Sequence, residues 1–335
     1  MSNQGATHTA VTTRPAPAVV AAGASTTQPH AELVGVTKRF GDVVALNNVS
    51  LQARPGEVLA VLGPNGAGKT TAISTMLGLM KPSEGSARLF GGSTRDAESR
   101  MRVGAMLQIS GVPETLTVSE HLSSFATYYP APMSVAQAIE LANLTEVADR
   151  MYGKLSGGQK QRLHFALAMI GNPDLLFLDE PTTGLDVASR REFWSEIRGF
   201  LGGKRTVVLT THYLEEADAL ADRVVVIDKG QIVVEGTPAE IKQRAAGRRV
   251  RAVTSLNLEH VSSLPGVAQA QRIGAATSIL TSEAESVVRQ LLLRDEHLTD
   301  LEVTGAGLEE AFLALTGNDH PADQNQNTTA QEAHA

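Results

Sequence analysis

The chain has 335 residues, 42% hydrophobic and 19% charged, enough to bury a sizeable core and too apolar for global disorder. Its 29 Lys and Arg against 36 Asp and Glu leave a net charge of −7, which argues against a dedicated nucleic-acid binder with a basic face. It has no Cys, which excludes disulfides and thiolate metal sites and suits a reducing compartment.

Residues 1–30 are rich in Ala, Thr and Pro, lack periodicity and read as a disordered tail. Their most apolar run, "APAVVAAGA" (Ala16 to Ala24), falls well short of the roughly 18–20 residues that span a bilayer. A membrane function would therefore need a second chain.

Residues 31–238 read as one α/β block. "AELVGVTKRF" and "VALNNVSLQA" have strand character, and "EVLAVLG" is a strand running into a glycine-rich loop. "SARLFG" and "VGAMLQ" read as further strands, and Val118 to Ala148 is helical in pattern. "LLFLD", "TVVLTT" and "RVVVID" are short, almost wholly apolar runs of the kind buried on both faces of a parallel sheet. The helical runs "QKQRLHFALAMIG", "ASRREFWSEIRGF" and "YLEEADALA" separate or follow them. Residues 239–317 form a smaller block. There "RRVRAVTS" and "ATSILTS" read as strands and "ESVVRQLLLRD" as a helix, an α+β pattern. Residues 318–335 read as a second disordered tail.

The loop "GPNGAGKTT" fits G-x-x-x-x-G-K-[ST]. Gly63, Gly66 and Gly68 let the loop through Pro64, Asn65 and Ala67 turn its N–H groups, which Pro64 alone lacks, toward phosphate oxygens, and the helix that starts there adds the positive end of its dipole. Lys69 reaches β- and γ-phosphates, the Thr70 hydroxyl suits Mg²⁺, and Thr71 continues the first turn. "LLFLDEP" ends a strand in two carboxylates. Asp179 stands where open α/β sheets bind ligands, with a charge suited to Mg²⁺. Glu180 is free to polarise a water. The base-reading N-K-x-D motif of GTPases is absent, so adenine is better held by stacking, and Phe40 is the candidate platform.

"LSGGQKQR" repeats the anion-binding arrangement with Ser156, Gly157, Gly158 and Gln159 before another helix. One chain with two phosphate-facing helix ends suggests a dimer in which each chain completes the other's site. Here the sequence resembles the ATP-binding subunits of ABC transporters over about Ala31 to Pro238. "GPNGAGKTT", Gln108 in "MLQ", "LSGGQKQR", "LLFLDEP", "GLD" ending at Asp186 and "TTH" ending at His212 stand in the family's order.

The resemblance implies a P-loop ABC ATPase core with a helical subdomain, followed by a small α+β domain. It implies that Phe40 stacks on adenine, that residues 63–71 bind ATP, and that Thr70, Gln108 and Asp179 surround Mg²⁺. Glu180 would be the catalytic base and His212 would steady the γ-phosphate and water. Ser156 to Gln159 would contact ATP on the opposite subunit, and Asp186 would communicate across a homodimer. An integral-membrane permease on a separate chain is the implied partner, no nucleic acid is expected, and the place of work is the cytoplasmic face of the cell membrane.

Phe125, Tyr128 and Tyr129 lie where the family meets its membrane subunit, and an ordinary helix core explains them equally well. His164 and His260 read as structural. "GLEEAFLALTG" (Gly307 to Gly317) resembles the closing segment of bacterial exporter ATPases of the daunorubicin-resistance type, and also fits a plain amphipathic helix. A soluble ABC ATPase that remodels a ribosome or DNA complex stays as the alternative, though the fused cores or long coiled coils common there are missing. A P-loop phosphotransferase is a third, against the intact signature motif.

Overall fold

The computed structural model describes residues 28–108, 112–201, 205–244 and 248–305. The closing segment Gly307 to Gly317, the tail 318–335 and all of residues 1–30 except 28–30 lie outside them. His30, expected in the tail, is part of the fold: its N–H donates to Ala53 O at 2.9 Å, and its Nδ1 lies 2.9 Å from the Thr206 hydroxyl.

The first half of the larger block contains β1 (Ala31–Phe40), β2 (Val43–Ala53), β3 (Val58–Leu62) and α1 (Lys69–Met76). It continues through β4 (Glu84–Leu89), the two-residue β5 (Gly92–Ser93), α2 (Ala97–Met101) and β6 (Val103–Met106). A helical segment follows with α3 (Val118–Ala126), α4 (Val135–Leu141) and α5 (Gly157–Met169). Then come β7 (Leu175–Asp179), α6 (Val187–Leu201), β8 (Thr206–Thr211), α7 (Leu214–Leu220), β9 (Arg223–Asp228), β10 (Gln231–Gly236) and α8 (Pro238–Arg244). The remainder is β11 (Arg248–Val253), α9 (Leu258–Ser262), β12 (Val267–Ile273), β13 (Ala276–Thr281), α10 (Ala284–Arg294) and β14 (Thr299–Gly305).

The central sheet has the order β10-β9-β3-β8-β7-β6 and is parallel except for β10, which pairs antiparallel with β9. Its strands are apolar on both faces because both faces are covered. Leu59, Val61, Phe177, Val208 and Val225 pack under α1 and the antiparallel sheet β2-β1-β4-β5. On the other face Leu176, Leu178, Val207 and Leu209 meet Phe165 of α5 and Phe193, Trp194 and Ile197 of α6. The helical segment has its own core around Val118, Leu122, Ile139, Leu163 and Leu167, with α3 and α4 each opened by a capping box.

Ile241 of α8 packs with Ala60, Leu62, Val224 and Val226, so the packing of the larger block runs past residue 238 and takes in α8. The smaller block is an antiparallel sheet, β12-β13-β11-β14, packed with Val261 of α9, Leu264 just after it, and Val287 and Leu291 of α10. It is the α+β unit its residues suggested. β10, β12, α2, α8 and α9 were not anticipated.

Candidate functional site

The loop between β3 and α1 is folded by close approaches that only glycine permits. Gly68 has φ +109°, and a Cβ there would stand 2.5 Å from Ala45 O of β2. Gly66 has φ +81° with open space around it, so its conformation alone demands glycine. The loop is pinned behind by Gly230 N–H donating to Ala67 O at 3.0 Å. Lys69 is 5% exposed, and its Nζ donates to Gly63 O at 2.8 Å and Pro64 O at 3.2 Å. Burial lowers its pKa against the opposing pull of Glu180 and Asp179. The loop thus closes around its own lysine.

Asp179 ends β7 opposite Thr210 of β8 and is 3% exposed. The Thr210 hydroxyl donates to its Oδ1, and the Thr70 hydroxyl donates to the same oxygen at 3.3 Å. Oδ2 is buried without a hydrogen-bond partner. An unpaired buried carboxylate oxygen is costly. Beside a threonine hydroxyl it supplies the hard oxygen set that Mg²⁺ takes, so these residues fit the ion.

Glu180 has φ +49°, a left-handed conformation rare outside glycine, held by its N–H donating to Thr210 O at 3.0 Å. Its Oε1 lies 3.4 Å from His212 Nδ1 and 3.6 Å from Lys69 Nζ. Its Oε2 accepts from Gln108 Nε2 at 3.3 Å and the Thr183 hydroxyl at 3.4 Å. Lys69, Thr70, Gln108, Asp179, Glu180 and His212 therefore converge at the C-terminal ends of the parallel strands. Gln108 contacts Glu180 rather than the Asp179–Thr70 pair.

Other predicted residues stand apart from this cluster. Ser156 caps α5: its Oγ accepts from Gln159 N–H at 3.3 Å, and Gln159 Oε1 accepts from Ser156 N–H at 3.0 Å. No hydrogen bond among the described residues joins Ser156 to Gln159 with the phosphate loop. A Cβ at Gly157 would meet nothing within 4 Å, and one at Gly158 only Leu185 at 3.5 Å. Asp186 caps α6, accepting from Ser189 N–H at 3.0 Å and its hydroxyl at 2.6 Å, which lower its pKa. Phe40 is 48% exposed at the end of β1, with Lys38 Nζ 5.0 Å from its ring centre.

Of the three aromatics, Tyr129 packs against the helical core while Phe125 and Tyr128 stay exposed, ring centres 6.0 Å apart. His164 is buried, with Nε2 3.0 Å from the Tyr152 hydroxyl, and burial lowers its pKa. His260 is exposed on α9. Thr210 was missed in the sequence, where it looks like one more β-branched strand residue.

The ABC transporter family model matches residues 46–183. A daunorubicin resistance ATP-binding protein of Streptomyces coeruleorubidus is 36% identical over 314 residues, spanning 88% of this chain and 96% of that protein. A Nod factor export ATP-binding protein I of Burkholderia thailandensis is 37% identical over 292 residues, spanning 85% of this chain and 96% of that protein. Among solved structures, an ATP-binding subunit of an ABC transporter aligns at TM-score 0.57 and 26% identity, covering 64% of this chain and 92% of that one. A dimeric ATP-binding cassette in a post-hydrolysis state bound to ADP and Pi aligns at TM-score 0.56 and 27% identity, covering 62% and 98%.

Proposed function

We propose, from the premise that this chain belongs to the ABC transporter ATP-binding proteins and is an ATPase, that it powers export through an integral-membrane subunit carried on a separate chain. The convergence of Lys69, Asp179, Glu180 and His212 at one sheet end is the observation that carries the reading of the site. Lys69 and the loop amides hold phosphates once the lysine leaves its own loop carbonyls. Mg²⁺, held by Thr70 and Asp179, supplies charge neutralisation at the phosphates. Glu180 takes the proton of the attacking water as its oxygen bonds to the γ-phosphorus and ADP leaves. His212, 3.4 Å away, fixes that carboxylate and the water.

Export rests on the names of the relatives, one a drug-resistance protein and one a Nod factor exporter. A hydrophobic or drug-like cargo is our reading of the first. Among the described residues no helix is long and apolar enough to cross a membrane, which is why we assign the channel to another chain and this one to the inner membrane face. A head-to-tail homodimer accounts for the open space over Gly157 and for a capped Ser156 with no hydrogen bond, among the described residues, to its own phosphate loop. We place the division between ATPase and C-terminal blocks after α8, whose Ile241 still packs in the core of the larger block.

Purification of the tagged full chain from detergent-solubilised membranes tests this function. A stoichiometric integral-membrane protein is the expected companion. A ribosomal or DNA-bound assembly in its place would favour the soluble remodelling alternative.

A further inference from the structure

Helix α7 begins just after His212 and Tyr213, and Glu216 in its first turn is 0% exposed. A carboxylate is kept there only if hydrogen bonds offset its lost hydration. Its Oε1 accepts from the Thr182 hydroxyl at 3.1 Å and from Trp194 Nε1 at 3.0 Å, while Oε2 is buried without a partner. Burial raises its pKa, against the pull of Thr211, Trp194, Thr182 and Arg190. The donors come from different functional segments. Thr182 lies two residues past Glu180, and Trp194 lies on α6, the helix that Asp186 caps. Glu216 itself follows His212 on the same loop and helix. Arg190, one turn before Trp194, adds a second grip, with its guanidinium 3.7 Å from the centre of the Tyr213 ring.

We propose that Glu216 is a positioning residue for hydrolysis: its carboxylate latches the Glu180 strand end and the Asp186-capped helix to the loop carrying His212. The latch makes the three segments one body, so the spacing of His212 to Glu180 depends on a side chain that touches neither. It also ties that spacing to α6, which leads from Asp186. The residues assigned to nucleotide binding, Phe40, Lys69, Thr70 and Asp179, are not among the partners of Glu216, so the latch acts on turnover. The proposal rests on the ATPase reading of the site.

The test uses the full chain with Thr182→Val and Trp194→Phe, which remove one donor each at nearly constant shape, and Glu216→Gln, which keeps the Oε1 acceptor. Angstrom-scale misplacement of catalytic groups lowers rates by up to about 100-fold, so each donor variant should lose about five- to twentyfold in kcat with its ATP dissociation constant within about twofold. Glu216→Gln should retain most of kcat. Trp194 is the sole tryptophan, so its emission in the wild type should change when ATP and Mg²⁺ are added, and that change should vanish in His212→Ala. An unchanged kcat in both donor variants would overturn the latch. So would a fall in activity that only follows the loss of folded protein on thermal melting, or an emission change that survives in His212→Ala. Absence of ATP binding by the wild-type chain in titration calorimetry would instead overturn the reading of the site, and the latch with it.

Discussion

Glu180 Oε1 and His212 Nδ1 stand 3.4 Å apart because β7 and β8 are adjacent parallel strands with Asp179 opposite Thr210. Each is the residue just past its strand's end, so the register sets them side by side. Lys69 Nζ shares the same oxygen at 3.6 Å, so the carboxylate is partly neutralised before any phosphate arrives. An entering γ-phosphate competes for that lysine and sets a negative charge beside Glu180.

Glu180→Gln keeps size and hydrogen bonding but cannot take a proton. Loss of a general base lowers rates about 10²- to 10⁴-fold, and ATP binding should survive because Lys69, Thr70 and Asp179 are intact. With the negative charge removed, ATP should trap a dimer on size-exclusion chromatography, and an added Ser156→Arg should abolish it. A protein with ATP bound that stays monomeric at high concentration would rule out dimerisation by this chain alone.

Lys69→Ala removes a cation that is 5% exposed and held at the phosphate loop. A charge-assisted hydrogen bond contributes about 1.5–3 kcal/mol, so ATP affinity should fall by one to two decades (~10–100-fold) in titration calorimetry. Unchanged affinity would remove Lys69 from the site.

Phe40 should tolerate Trp and not Ala, since an aromatic platform contributes through its face. Equal ATP affinity in Phe40→Ala and Phe40→Trp would place the adenine elsewhere.

Glu196 on α6 pairs with Arg162 of the "LSGGQKQR" helix at 2.7 Å, with Glu192 on the same guanidinium at 2.9 Å. Burial raises its carboxyl to about 7, against the pull of Arg162 and with a further push from Glu192. The folded state therefore holds this proton more tightly than the unfolded chain. Its destabilisation is absent below the unfolded value of 4.5, grows as pH rises toward 7 and is full above that. Glu196→Gln should leave stability at pH 5 nearly unchanged and raise it at pH 8 by about 1–3 kcal/mol, read from urea unfolding. Equal effects at both pH values would contradict this account.

Gly104 in β6 lies against α5, and an added Cβ would stand 2.0 Å from Ala168 O. The obstacle is backbone, which cannot swing away as a side-chain tip can. Gly104→Ala should lower stability by about 1–3 kcal/mol or more. A urea midpoint equal to wild type would show that the α5–β6 contact is looser than the geometry indicates.

The central sheet was legible because strands covered on both faces leave unbroken apolar runs, as in "LLFLD" and "TVVLTT". β10 and β12 were not. β10 is an edge strand with mixed exposure, and the centre of β12 is Ala268 to Gln271, Ala and Gln in alternation, which carry little strand preference. Lys69, Asp179 and Glu180 were readable because a glycine loop between strand and helix and a strand ending in two acids are local patterns, while His212 was readable only through the family resemblance that picks out the end of "TVVLTTH". Glu216 was not. "YLEEADALA" looks like an amphipathic helix with an acidic outer face, and only the remote Thr182 and Trp194 reveal that one of its acids is the most enclosed charge near the site. Phe125, Tyr128 and Tyr129 show the same limit, since adjacent aromatics on one segment divide between core and surface.

The left-handed backbone at Glu180 sets fold durability and turnover against each other. A non-glycine residue held at such a φ costs about 1–3 kcal/mol, and glycine or asparagine would relieve it in the residue we propose as the base. A laboratory selection for heat tolerance alone would therefore drift toward those residues at position 180, and would enrich proteins that hold their nucleotide firmly and never cleave it.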